Sequence, residues 1–127
     1  MSKYNFMGQP SQGRTLLPNR AFPRIMRLHM DIQALTQAMH AFVDSKGWYA
    51  PDSPRPQTPR NLAASLAIEA AEVLEHYQWA DAAERTELAG ELADVALYLL
   101  QLASVTGIDL EQAVLDKLKA NYERSWP

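Results

Sequence analysis

The stretch from Leu62 to Leu102 constrains this chain more than any other. It holds two strongly apolar runs, LAASLAIEAAEVLEHYQW and ELAGELADVALYLLQL, separated by a short polar break. Each carries two carboxylates three residues apart, Glu69 with Glu72 and Glu91 with Asp94. On a helix, residues three apart are neighbours, and a like-charged pair costs about 0.2–0.5 kcal/mol. Projected at ~100° per residue, Leu62, Leu66, Ala70, Val73 and Leu74 form one apolar arc, with Glu69 at its edge and Glu72 just beyond. Leu88, Leu92, Val95, Leu99 and Ala103 form a second arc, with Glu91 at its edge and Asp94 just beyond. Two antiparallel helices joined by a short break bring such edges together, so the four acids are expected to converge.

Four oxygen donors in a chain without cysteine select a hard cation, Mg²⁺ or alternatively Mn²⁺. A di-iron centre would need Glu-x-x-His on two helices, which is absent. His76 follows Glu72 by four residues and is taken as incidental, and His40 is assigned no site role, since a lone helical His is more often structural or solvent-facing. One E-x-x-E alone is more often a solvated helix face. Two matched pairs, together with Lys117, Asn121 and Arg124 on one face of a later helix, favour a site. There is no glycine-rich phosphate loop, nucleophile elbow or dinucleotide fingerprint.

The rest of the chain supplies more helices and no credible strand pair. Asp31 caps a first helix through Ile32, Leu35, Met39, Phe42 and Val43, stopping at Lys46-Gly47. A proline-rich loop follows to Thr58, which caps the second helix with Pro59 at its first position, and that helix is expected to run to about Trp79. The third is expected from about Ala83 to Val105. The fourth starts after Asp109, where Asp109 and Gln112 form a capping-box variant. The fold class is all-α, a four-helix arrangement in one domain over residues 31–127. Residues 1–30 carry four arginines, one lysine, no acid and repeated Gly and Pro, and are expected to be an irregular arm. Met26 or Met30 could equally begin the functional domain. The remaining chain carries seven basic and fifteen acidic residues, which suits divalent cations better than polymeric nucleic acid. No continuous apolar run of membrane-spanning length and no secretory signal core is seen, so a cytoplasmic, membrane-independent protein is expected.

These residues resemble a known group, the all-α MazG-like nucleoside triphosphate pyrophosphohydrolases, and within it the dCTP pyrophosphatase branch. The resemblance is carried by Pro59-Arg60-Asn61-Leu62 opening the motif helix, Gln78-Trp79 closing it, Glu91-Leu92-Ala93-Asp94-Val95 with Tyr98, and Lys117, Asn121 and Arg124 near the end. It implies hydrolysis of a (deoxy)nucleoside triphosphate, such as dCTP, to monophosphate and pyrophosphate. It implies Mg²⁺ on Glu69, Glu72, Glu91 and Asp94, with Glu69 and Glu72 catalytic and Glu69 on the base side. Lys117, Asn121 and Arg124 would hold phosphates, and Trp48, Gln57, Asn61, Trp79 and Tyr98 would enclose base and sugar. It also implies a homodimer or a tetramer of dimers. The chain departs from the pattern at Gln57, where a relative carries His, and at Tyr122, where a basic residue is usual. Two other readings stand beside it: a phosphoribosyl-nucleotide pyrophosphohydrolase with the same metal site, and a non-catalytic helical dimerisation module. The Lys117, Asn121 and Arg124 face argues against the second.

Overall fold

The fold is described from a computed structural model, over residues 30–127. Four helices appear in order: α1 (Ile32–Ser45), α2 (Pro59–Glu75), α3 (Arg85–Val105) and α4 (Leu110–Glu123). The bundle is all-α over these residues. The expectation for residues 1–30 falls, apart from Met30, outside the described residues.

Side chains close each helix start as the sequence requires. Asp31 accepts from the Ala34 amide at 2.7 Å, and Thr58 from the Asn61 amide at 3.2 Å, with Pro59 following where no amide hydrogen is needed. Gly47 and Gly107 take φ of +69° and +71°, the left-handed conformation that ends α1 and α3 cheaply only with glycine.

Three local expectations need correction. α2 stops at Glu75, short of Trp79, because the next turn tightens: Tyr77 and Gln78 donate to the carbonyls three residues back, Leu74 and Glu75. α3 starts at Arg85 rather than Ala83, because Glu84 folds its carboxylate onto the Thr86 and Glu87 amides at 3.0 and 2.7 Å and caps the helix. The capping box at α4 forms only half: Asp109 accepts from the Gln112 amide, but the Gln112 side chain turns forward to Asp116.

α3 is the central helix, packed along α2 and across α1, with α4 lying lightly against it. The core is small. Met39, Val43, Leu62 and Tyr98 are buried together, with Phe42, Trp48, Leu66, Leu97 and Leu102 packed around them. The apolar arcs drawn from the sequence do not coincide with the buried faces. Leu74 is 70% exposed and Leu92 50%, whereas Glu69 and Glu72 are only 2% and 5% exposed. On α2 the buried residues are Leu62, Glu69 and Glu72, a stripe with helical spacing. The seam between α2 and α3 is therefore built on the acid edge, and much of each apolar arc is left outside. α4 has no buried residue, and Val114, Leu115 and Leu118 are all exposed.

By length and composition α3 is apolar enough to cross a membrane, contrary to the expectation from scanning for continuous apolar runs. In the bundle it packs along α2 and against α1, and several of its apolar side chains, Leu92 and Leu99 among them, remain exposed.

Leu62 anchors α2 to the core. Leu62→Ala should lower unfolding free energy by about 2–5 kcal/mol, read from denaturant midpoints. A loss under about 1 kcal/mol would mean that this contact does not hold α2.

Candidate metal and nucleotide site

The α2–α3 seam brings carboxylates from the two helices together. Glu69, Glu72 and Glu91 each offer one oxygen, and these atoms all lie within 4.8 Å of one another. Glu69 and Glu72 are buried and Glu91 is half-buried. Asp94 is also half-buried and its charge acts on Glu69, although it does not belong to the converging set. Glu69 Oε2 is buried and meets no hydrogen-bond donor. An orphaned buried carboxylate oxygen is costly, and natural interiors rarely keep one without a use.

The electrostatics follow from this crowding. Burial pushes the Glu69 carboxyl up to about 8, with the charges of Glu72, Asp94 and Glu91 and a hydrogen bond with Glu72 adding to it. Tyr98 is pushed up to about 12, first by burial and then by Glu69 and Asp94, while a hydrogen bond with Ser65 and the charge of Arg55 oppose the rise. Tyr98 thus remains a neutral hydroxyl beside the acids. A divalent cation fits these residues: it would supply the orphaned oxygen with a partner and turn mutual repulsion into shared attraction.

The structure places the other candidates as follows. Lys117, Asn121 and Arg124 sit on or at the end of α4. Lys117 is exposed, the Arg124 guanidinium lies 4.5 Å over the Trp126 ring, and the Asn121 carbonyl accepts from Trp126 Nε1 at 3.4 Å. Trp48 packs against the core, edge-on to Phe42 and covered on one face by Arg55 at 5.6 Å. Gln57 accepts from Gln101 Nε2 at 2.8 Å and donates to the Arg55 carbonyl at 2.7 Å. Asn61 Nδ2 donates to the Pro56 carbonyl at 2.8 Å, tying the loop to α2. Trp79 is 89% exposed.

Several residues beside the site were not singled out from the sequence. Gln101, fully buried, joins Gln57 to Tyr49, a loop aromatic expected with Trp48 to be able to stack on a base. A glutamine inside an apolar helical run was the available signal. Arg55 was visible only as a cation framed by two prolines. His76, set aside as incidental, lies 3.7 Å from Glu91 Oε1 and 3.9 Å from Glu87 Oε2. Its spacing of one turn from Glu72 was the signal. His40 meets Tyr49 Oη at 2.5 Å and Ser104 Oγ at 2.6 Å, which makes it structural.

With this geometry in view, comparison with known proteins is decisive for kinship. The MazG-like family profile matches residues 64–126, a span that includes both carboxylate pairs. A pyrophosphatase from Archaeoglobus fulgidus superposes with a TM-score of 0.63 at 35% identity, over 75% of this chain and 92% of that one. The chain belongs to the MazG-like family. Among curated proteins, dCTP pyrophosphatase 1 of rat and of human are each 38% identical over 76 residues, covering 52% of this chain and 45% of theirs. The chain thus matches under half the length of these curated relatives. A Salmonella phage dATP/dGTP diphosphohydrolase is 50% identical over 38 residues, 13% of its own length.

The raised Glu69 fixes a pH dependence. Its carboxyl ionises near 4.5 when unexposed to these neighbours and near 8 in the fold. The folded protein therefore holds the proton more tightly, so the stability this group contributes is fully present below the lower value and is lost as pH rises through the upper one. Metal-free protein should show a thermal midpoint that falls between about pH 5 and 9. Glu69→Gln should flatten that fall, and Mg²⁺ should raise the wild-type midpoint most at the alkaline end. An unchanged slope in Glu69→Gln would remove Glu69 as its source.

Proposed function

We propose that this MazG-like protein is a Mg²⁺-dependent nucleoside triphosphate pyrophosphohydrolase acting on deoxynucleotides, with a pyrimidine such as dCTP as the preferred substrate. The observation that carries this reading is the convergence of Glu69, Glu72 and Glu91 in a buried seam, with an oxygen of Glu69 left without a donor. The names of the similar proteins supply the reaction class. The dCTP-named relatives match twice the length that the phage purine enzyme does, 76 residues against 38, which favours the pyrimidine.

In this reading Glu69, Glu72, Glu91 and Asp94 hold the cation. When bound, it supplies neutralising charge for the triphosphate and Lewis acidity at the reacting phosphorus. Water attacks the α-phosphorus, the bond from that phosphorus to the bridging oxygen breaks, and pyrophosphate leaves with its electron pair. Glu69 is the group we assign to take the proton from the attacking water, since burial and its acidic neighbours raise its carboxyl. Tyr98, held neutral beside the acids, hydrogen-bonds with Ser65. Gln57, Asn61, Trp79 and Trp48 are assigned to the base and sugar side, and Lys117, Asn121 and Arg124 to phosphates.

We propose a homo-oligomer as well. Among the described residues Val114, Leu115 and Leu118 of α4, Leu74 of α2 and Leu92 of α3 are exposed, and a second copy is the partner we assign to cover them. Light scattering should then give at least twice the chain mass of 14.3 kDa.

The test is a panel of ribo- and deoxynucleoside triphosphates with Mg²⁺, scored for pyrophosphate against orthophosphate. Pyrophosphate is expected, fastest with a deoxypyrimidine. Orthophosphate with a diphosphate product would move the attack to the γ position, and no product from any nucleotide would defeat the reading. Glu72→Gln should lower turnover by more than about 100-fold, since even residues that merely support metal ligands commonly cost 10–100-fold. Turnover surviving that change would overturn the metal assignment.

A further inference from the structure

We infer that Arg55 is a phosphate ligand of the nucleotide site, delivered from the α1–α2 loop by the same chain that holds the carboxylates. The inference rests on the pyrophosphohydrolase reading and adds to it a residue that neither the sequence motif nor the family match contains, since the match begins at residue 64.

The first observation is how firmly the backbone of Arg55 is held in a loop with no regular structure. Arg55 lies between Pro54 and Pro56. The ring of Pro56 restricts Arg55 to extended backbone, and Pro54 fixes its own φ one residue before. The Arg55 amide donates to Ser53 Oγ at 3.1 Å, and its carbonyl accepts from Gln57 Nε2 at 2.7 Å. A backbone carbonyl can only accept, so the Gln57 amide nitrogen must face it and the Gln57 oxygen must face the other way. That oxygen accepts from Gln101 Nε2 at 2.8 Å, and the second Gln101 hydrogen goes to Tyr49 Oη at 3.2 Å. Gln101 has no exposed surface and stands one turn beyond Tyr98 on α3. A polar side chain buried in the central helix thus anchors the carbonyl of one loop arginine.

The second observation is where the guanidinium goes. Its carbon lies 5.6 Å over the Trp48 ring, and Trp48 is itself packed on the cluster that contains Leu62 and Tyr98. Stacking engages the flat face of a guanidinium, while its five N–H donors lie in the plane, where they suit phosphate oxygens two at a time. The charge of Arg55 reaches Tyr98, which also feels Glu69 and Asp94. Through Trp48, Arg55 is seated on the cluster that holds Tyr98, and Tyr98 stands one turn beyond Asp94 on α3. Trp48, expected to stack on a base, gives one ring face to Arg55 instead.

The third observation concerns the alternative cations. Lys117 is exposed on α4, and Arg124 stacks on Trp126. α4 packs lightly against α3, whereas Arg55 is bound to the frame that carries the carboxylates. Once a divalent cation has taken up the charge of the acids, a guanidinium held on the same frame is matched best by the anionic oxygens that the same cation brings in.

The experiment compares wild-type, Arg55→Ala and Arg55→Lys proteins in Mg²⁺. Calorimetry measures binding of the non-hydrolysable α,β-imido analogue of dCTP, and competition measures binding of deoxycytidine, which has no phosphate. Arg55→Ala should weaken the analogue by at least about tenfold and deoxycytidine far less, since only the analogue carries phosphates. Arg55→Lys should fall between, because it keeps the charge and loses the fork. Equal binding of the analogue by wild type and Arg55→Ala, or parallel loss of analogue and deoxycytidine, would overturn the inference while leaving pyrophosphate release by the wild type intact. A wild type that releases no pyrophosphate from any nucleotide would instead overturn the parent reading, and this inference with it.

Discussion

Placing carboxylates beside one another in a buried seam is unfavourable twice over. Each loses hydration, and each repels its neighbours through a medium that screens poorly. Glu69 and Glu72 bear both costs in the packed face between α2 and α3. The Glu69 carboxyl responds by holding its proton up to about pH 8, and one of its oxygens is left without a donor. A fold seeking stability alone would have turned Leu74 and Leu92 into that seam, and it leaves them exposed instead. Positive charge at the seam offsets both costs. This single constraint explains why α2 is rotated as it is, and why Tyr98 stays neutral beside the acids.

The loop between α1 and α2 shows the same preference for placing groups over filling space. Gln101 occupies a fully buried position on the central helix, where leucine would be the ordinary choice. It spends both amide hydrogens on Tyr49 and Gln57, and Gln57 in turn holds the Arg55 carbonyl. Its own oxygen stays buried without a donor. Acid seam and basic loop are thereby fixed to one rigid helix, α3. On the opposite side, α4 and the outer arcs of α2 and α3 keep apolar side chains in solvent, the surface we assign to a second copy.

Much of this was legible from residue order. Helical period, the Asp31, Thr58 and Asp109 caps, and the glycines at 47 and 107 mark four helices because these signals are local and have few competing solutions. The two carboxylate pairs stand out because they recur at one spacing, and three of the four acids, Glu69, Glu72 and Glu91, converge. Which face each helix buries was not legible. Projection ranks residues by apolarity, and on that ranking Glu69 and Glu72 belong at an edge, whereas the seam is chosen by pairing between helices. The positions of Arg55, Gln101 and His76 were also hidden. Gln101 and His76 meet partners across longer sequence separations, such as the 44-residue span between Gln57 and Gln101, whereas Arg55 is placed by contacts within its own loop. The extra turn expected for α2 failed for a smaller reason: the chain tightens after Glu75 although Tyr77, Gln78 and Trp79 are compatible with a helix.

The central claim is that the buried seam is a cation site whose Glu69 carboxyl surrenders its proton to the ion. Calorimetric titration of Mg²⁺ at pH 7, repeated in two buffers of different ionisation enthalpy, measures that proton directly. Close to one proton should be released per ion bound by the wild type, and Glu69→Gln should abolish the release. Binding without proton release, or no binding even with nucleotide present, would contradict the account.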